Sequence, residues 1–324
     1  MSVMLYYSAT KTVGVVDLAQ DEVVRPSEQK SESTPAVPTK ENEIAINRAQ
    51  MSTNYFCIPM PESVKAEELW VSISAEQTKA YETFYRSGSV YGNCENVTDG
   101  RLEVEKDRIC LRFALDGVYE YRSIFEDHTL YVEFVPSKEV YEKIIVIDPA
   151  YGGEEQGVVA DGILSKNITL DVAKALKTMF DESDIKVYYT RMDDSNPAVA
   201  DRVELAAATK ADMLIRIEVS GDENSKLYGT SAVYNSKFFI PGFGNVELAD
   251  LLEREVVTSI SGKACGLIES TEDDRVVNSA TVPAAAIRVG YLTNSQEAIL
   301  LQREDYIKRI AEGIYNAVIK AYSV

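Results

Sequence analysis

KIIVIDPAYGG, from Lys143 to Gly153, joins an unbroken apolar run to a turn: Ile144 to Ile147 carry no polar side chain, and Asp148-Pro149 and Gly152-Gly153 then end the strand. A run of that kind reads as a strand buried on both faces, the sort found inside a parallel sheet. The two glycines read as turn residues with a structural role.

Outward from it, strands and helices alternate. A helix is expected over about Lys166 to Asp181, a strand over Lys186 to Thr190, a helix over about Ala198 to Thr209 and a strand over Asp212 to Val219. Further strands are expected near Thr230 to Tyr234 and Ala284 to Leu292, with helices over about Val246 to Ser261 and Glu304 to Ala321. In the last of these, Tyr306, Ile310, Ile314 and Val318 recur at helical spacing. This is α/β architecture, a mostly parallel twisted sheet flanked by helices over 143–324, and its ligands belong beyond the carboxyl ends of the strands.

Upstream the period changes. Between Tyr55 and Val135, Ile109, Leu111, Phe113 and Leu115 alternate, as do Leu130, Val132 and Phe134, and Leu69 to Ala75 (LWVSISA) is a third candidate strand. Asp99-Gly100 and Asp116-Gly117 are turn dipeptides. A small β-rich domain over 53–138 is therefore expected. Asp21 to Asn47, rich in Ser, Pro, Glu, Lys and Thr, reads as a solvated linker, so 1–52 is taken as a flexible, disordered N-terminal segment. Met1 to Ala9 (MSVMLYYSA) lacks a basic lead and is short for a signal; it is either the outer end of a membrane tether or a frayed terminus.

Asp and Glu outnumber Lys and Arg by 52 to 33, a formal charge of −19 that argues against nucleic acid as a partner. The four cysteines, Cys57, Cys94, Cys110 and Cys265, have no CxxC spacing and one histidine, His128, to join them, so a zinc cluster is not expected. Buried thiols are the default, with a Cys94 to Cys110 bridge open if the protein is exported. With one histidine far upstream and no G-x-S-x-G elbow, a serine or cysteine hydrolase has no support. Glu154, Glu155, Asp161, Asp222 and Glu223 match no calcium-loop spacing.

Several landmarks in the second half come in one order: IDPAYGG (147–153), SKNITLDVA (165–173), Thr190-Arg191, Arg202 to Ala206, RIEVS (216–220) and IRVGYLTN (287–294). Together they resemble the type 3 family of N-acetylmuramoyl-L-alanine amidases, where the matching stretches read DPGHGG, EKDVTLDVA, TR, R-x-x-x-A, SIHAN and VEVGFLSN. The resemblance implies the family's fold over 143–324. It also implies hydrolysis of the amide between the lactyl group of N-acetylmuramic acid and the stem peptide, by a zinc ion held on His, Glu and His with a Glu as general base. The β-rich segment resembles, in pattern only, the small modules that precede some cell-wall amidases, such as the AMIN type.

Carried over, the three ligand positions and the base fall on Tyr151, Ser165, Glu218 and Arg288, and none of the family's residues is retained. A catalytic zinc needs about three protein ligands and an open position. Tyr and Ser are protonated at neutral pH, and Arg288 repels a dication, so the zinc is expected to be absent and no catalytic residue is expected. Glu218 and Arg288 are expected to face each other as an ion pair in its place, with loss of either partner costing roughly 3 to 5 kcal/mol. Ser165 is expected to be a helix N-cap. Tyr151 is expected to fill the volume of the lost histidine, or to stack on a sugar.

The expected function is that of a catalytically inactive amidase homologue, outside the cytoplasm at the cell envelope. It would bind a peptidoglycan fragment through Tyr151, Glu218, Arg288 and Asn294, or regulate a cell-wall protein. A scaffold with an amidase-like fold, and an active amidase with a rearranged site, are the alternatives.

Overall fold

The computed structural model describes residues 46–47, 55–59, 90–92, 95–105 and 108–323. The chain divides into two compact units, Met1–Val140 and Tyr141–Val324.

The first unit is β-rich. Its sheet runs in the order β1 (Ile46–Asn47), β3 (Val90–Gly92), β2 (Tyr55–Pro59), β7 (Thr129–Pro136), β6 (Tyr119–Glu126). A hairpin of β4 (Val97–Glu105) and β5 (Arg108–Leu115) accompanies it, and a short helix, α1 (Ser137–Val140), follows. Leu130, Val132 and Phe134 alternate to one face and are buried, with Ile58 opposite Leu130, while Tyr55 and Cys57, opposite Glu133 and Tyr131, are buried on the other. Burial pushes the Cys57 thiol up to about 12, against a contact with Tyr91.

Two expectations change here. Ile46–Asn47, read as the end of a linker, pairs with Val90–Tyr91. Asp99-Gly100 does not reverse the chain. It lies inside β4 at a register shift, where the Asp99 carboxylate accepts from the Gly100 amide at 2.9 Å. The β6–β7 reversal is made by Asp127 and His128, both at positive φ as a two-residue hairpin demands. Leu69 to Ala75, Met1 to Ala9, most of the linker and Cys94 lie outside the described residues.

The second unit holds a six-stranded sheet in the order β11 (Ile185–Tyr189), β8 (Lys143–Pro149), β12 (Met213–Ser220), β15 (Ala284–Tyr291), β13 (Thr230–Tyr234), β14 (Ala264–Glu269). β11, β8, β12 and β15 run parallel, β13 opposes β15, and β14 runs with β13. A small hairpin, β9 (Val159–Ala160) and β10 (Ile163–Leu164), follows β8. One sheet face packs under α2 (Ser165–Phe180), α4 (Asn245–Ile260) and α7 (Glu304–Ala321), burying Ile145, Ile147, Ile215, Ile217 and Ile287 against Val172, Leu176, Leu252 and Ile314. Side-chain alternation sends Ile144, Val146 and Asp148 to the other face, which α3 (Val199–Ala208) and α5 (Arg275–Ser279) cover. The remaining helix is α6 (Ser295–Leu300). β14, α5 and α6 were not expected from the sequence. Cys265, expected to be buried, is exposed on β14.

α4 and α7 approach closely at Gly313, where an added Cβ would stand 2.6 Å from the Val256 Cα and 2.9 Å from the Glu255 carbonyl oxygen. Gly313→Ala gains about 1 kcal/mol of helix propensity, but it forces backbone against backbone, an overpacking cost of about 1–3 kcal/mol or more. The clash wins: chemical denaturation will show net destabilisation with an unchanged m value, and a stabilised variant would mean that the helices sit further apart.

Candidate functional site

The parallel strands end together, and the loops leaving β8, β11 and β12 build the site. Two arginines shape the first loop. Arg191 is buried and donates from Nε to the Pro149 carbonyl at 3.0 Å and from Nη2 to those of Ala150 at 2.9 Å and Lys166 at 2.8 Å. Arg202, reaching in from α3, donates to the Pro149 and Tyr151 carbonyls, each at 3.1 Å. Carbonyls that a strand would have paired are thus satisfied by side chains, which lets the backbone leave the sheet sharply. Gly152 is required where it stands, since at φ +139° a Cβ would lie 2.0 Å from the Ser195 carbonyl oxygen.

Beside this loop runs a row of alternating charge fixed by sheet register. Asp148 pairs in register with Arg216, and Glu218 with Arg288, while Arg216 and Glu218 are two apart on β12 and so share a face. The Asp148 carboxylate receives the guanidiniums of Arg202 and Arg216 and the Thr190 hydroxyl at 2.6 Å. Arg216 Nε donates to Glu218 Oε1 at 2.7 Å, Arg288 Nε to Glu218 Oε2 at 3.1 Å, and Arg288 Nη2 to Asp274 Oδ1 at 2.8 Å. Arg202, Asp148, Arg216, Glu218, Arg288 and Asp274 therefore form one chain of three cations and three anions. Burial alone would push the Asp148 carboxyl up, but Arg216 and Arg202, with Thr190, more than offset it and hold it at about 2. Burial acts to lower the Arg216 guanidinium, and Asp148 and Glu218 outweigh it and raise its pKa.

Of the positions singled out in the sequence, Tyr151, Glu218 and Arg288 come together and Ser165 stands beside them. Tyr151 takes a left-handed backbone at φ 65°, a cost of about 1–3 kcal/mol for a bulky residue, and lays its ring 5.8 Å from the Arg216 guanidinium. A Cβ on Gly157 would fall 2.4 Å from that ring, so the glycine leaves it room. Ser165 is not an N-cap. It is the first residue of α2, and its Oγ accepts from the Val158 amide at 2.9 Å and donates to the Gln156 carbonyl at 3.3 Å, tying down the loop instead. Asn294 caps α6, accepting from the Gln296 and Glu297 amides and donating to the Ser225 carbonyl. Asp148, Arg216 and Asp274 carry the row without having been singled out. The signal for the first two was present: an acid ending a buried strand, and a base two residues before Glu218 on a strand whose alternate face is apolar.

These residues do not fit a zinc ion. Both oxygens of Glu218 are taken by guanidiniums, the Ser165 hydroxyl is spent on backbone, and Tyr151 is raised by burial and by Glu218, so it stays a phenol. Two guanidiniums stand where a dication would have to enter. Among the described residues, no three His, Cys, Asp or Glu side chains converge on a point that could hold a metal.

Two predictions follow from the row. Asp148 drops from 3.8 to about 2 on folding, so it contributes stability that is complete above its ordinary value and lost as pH falls through about 2. That contribution is roughly 2 kcal/mol, and unfolding measured between about pH 5 and 2 will lose the corresponding slope in Asp148→Asn. An unchanged slope would place the titration elsewhere. Removing Arg288 leaves Glu218 paired with Arg216 but takes the guanidinium from the buried Asp274. Arg288→Ala should therefore cost about 3–5 kcal/mol, as should Glu218→Ala, which leaves two guanidiniums facing. Adding Asp274→Asn should recover part of the Arg288→Ala loss, and denaturation that shows no recovery would mean that Asp274 is not the group left unpaired.

Residues 145–320 match the family model described as N-acetylmuramoyl-L-alanine amidase. Among curated relatives, the uncharacterized protein YqiI of Bacillus subtilis (strain 168) is 29% identical over 180 residues, covering 56% of this chain and 85% of that protein. The germination-specific N-acetylmuramoyl-L-alanine amidase of the same organism is 26% identical over 195 residues, covering 56% and 80%. Among solved structures, the N-acetylmuramoyl-L-alanine amidase of Clostridium difficile 630 aligns with a TM-score of 0.53 at 28% identity, over 56% of this chain and 97% of that one. The CwlD amidase of Clostridioides difficile, solved in complex with the GerS lipoprotein, aligns at 0.52 and 24% identity over 56% and 98%, a likeness of fold.

Proposed function

We propose, since this chain belongs to the N-acetylmuramoyl-L-alanine amidase family, that it is a member in which the row of guanidiniums and carboxylates has taken the place of the metal centre, and that it works at the cell wall by binding without cutting. The observation that carries this reading is Glu218, the one carboxylate among the family's ligand positions, held between Arg216 and Arg288. A site without a metal-bound water has neither the nucleophile nor the Lewis acid that amide hydrolysis by this family requires.

The ligand on this reading is a peptidoglycan fragment, or a cell-wall protein that the domain regulates, outside the cytoplasm. The half-buried Tyr151 ring and the partly exposed Arg288 guanidinium offer a stacking face and a hydrogen-bond donor beyond the strand ends. A related amidase forms a complex with a lipoprotein, which supports the protein-partner form of the reading. Among the described residues no helix is long and apolar enough to cross a membrane.

Elemental analysis of the purified chain, paired with an assay of muramyl-peptide hydrolysis after zinc addition and calorimetric titration of muropeptides, tests it. The expected outcome is substoichiometric zinc, no turnover, and muropeptide binding that weakens about tenfold or more in Arg288→Ala, the loss of one charge-assisted contact. Stoichiometric zinc with turnover would overturn the reading, and absence of both turnover and wall binding would favour a scaffold.

A further inference from the structure

The sheet of the second unit has two edges that differ in kind. β11, at one edge, reads IKVYY, with Lys186 inside the strand and the Lys143–Asp184 ion pair at its start. β14, at the other, reads ACGLIE, and from Ala264 to Ile268 it carries neither charge nor proline. Its residues are exposed save for a half-buried Ile268. Proteins ordinarily blunt an open edge with charges, proline, a bulge or a cover, because an edge strand's amides and carbonyls invite another strand, and of these β14 carries, before Glu269, only the bulge within it. Here the side chains add to the invitation. Cys265 lies against the Tyr228 carbonyl at 3.3 Å, and Leu227, Tyr228 and Leu267 are all large apolar residues left exposed around it.

A general apolar patch could serve many partners, but the charges flanking this one complement each other when the strand is reversed. Lys263 precedes β14, and Glu269, Glu272 and Asp273 end or follow it, all exposed. In antiparallel pairing of the strand with its own copy, each Lys263 falls beside the acidic end of the other, twice by symmetry. Elsewhere the chain's charge of −19 opposes self-association. Gly266 lies at the middle of such a pairing. It sits at a bulge with φ +82° and its amide donates to the Glu253 carboxylate at 2.9 Å, so the residues on either side of it would carry the ladder.

We infer that β14 is a docking edge for a second copy of this chain, forming a two-fold dimer in which the two β14 strands pair antiparallel about Gly266 and the sheet continues from one copy into the next. The dimer stands independently of what the site beyond the strand ends binds.

Sedimentation of the full chain, reduced and at rising concentration, is the test. The expected species has twice the 36.0 kDa mass. Leu267→Lys, an exposed change, should abolish it. Lys263→Glu should weaken it at least tenfold, and Lys263→Glu combined with Glu269→Lys should restore it, a rescue that nonspecific stickiness would not show. A short bis-maleimide should join two chains in the parent and not in Cys265→Ser. A parent that stays monomeric at its highest soluble concentration overturns the inference, as does a dimer indifferent to Leu267→Lys and to the charge exchange. Thermal melting of each variant separates loss of pairing from loss of fold.

Discussion

Asp148 is the buried charge around which the second unit is arranged. It ends β8 with no exposure to solvent, so its ionised form exists only because Arg202, Arg216 and Thr190 close on it from three elements. Each of those partners has a second duty. Arg202 holds the loop after β8 by its carbonyls, Arg216 passes the charge on to Glu218, and Thr190 follows the neighbouring strand, its amide donating to the Ile147 carbonyl at 3.1 Å. The carboxylate thus fixes where the loop leaves the sheet and where the row begins.

The residues that match the family and those that depart from it separate by direction. Asp148, Thr190, Arg191 and Arg202 match, and they hold backbone together behind the loop. Tyr151, Arg216, Glu218 and Arg288 depart, and they face one another in front of it. On the proposed reading, Arg216 and Arg288 bring two positive charges to the region where the family keeps a doubly charged ion. Ion pairs at this depth are weak evidence for stability against an apolar core of the same shape. Their role in the fold is better read as fixing the spacing of the strand ends they join.

Much of this arrangement was legible because it rests on periodicity. The apolar run of β8, the three- and four-residue spacing of α7 and the landmarks at the strand ends predicted the layers, and motif register alone brought Glu218 opposite Arg288. What escaped depends on contacts far apart in the chain. Asp274 joins the row from a five-residue helix with no periodic signal, and β14 alternates too weakly to be read as a strand. Ser165 was misjudged because an N-cap and a first-turn residue differ by one position, and the tertiary demand of the Val158 amide decided between them. Asp99-Gly100 has turn composition, yet its partner strand continues alongside it, so the local preference was spent on a bulge.

The interlocking of the row bears on descent as well as on shape. A histidine restored at Glu218 would meet two guanidiniums, a glutamate restored at Arg288 would face Glu218, and a metal entering after either single change would find cations beside it. If the proposed reading holds, each step back toward a hydrolase is disfavoured while its neighbours stay as they are, so the exchange acts as a ratchet: a lineage that has built this row can drift in its loops and surfaces, but it gains a metal centre only by changing several buried residues at once.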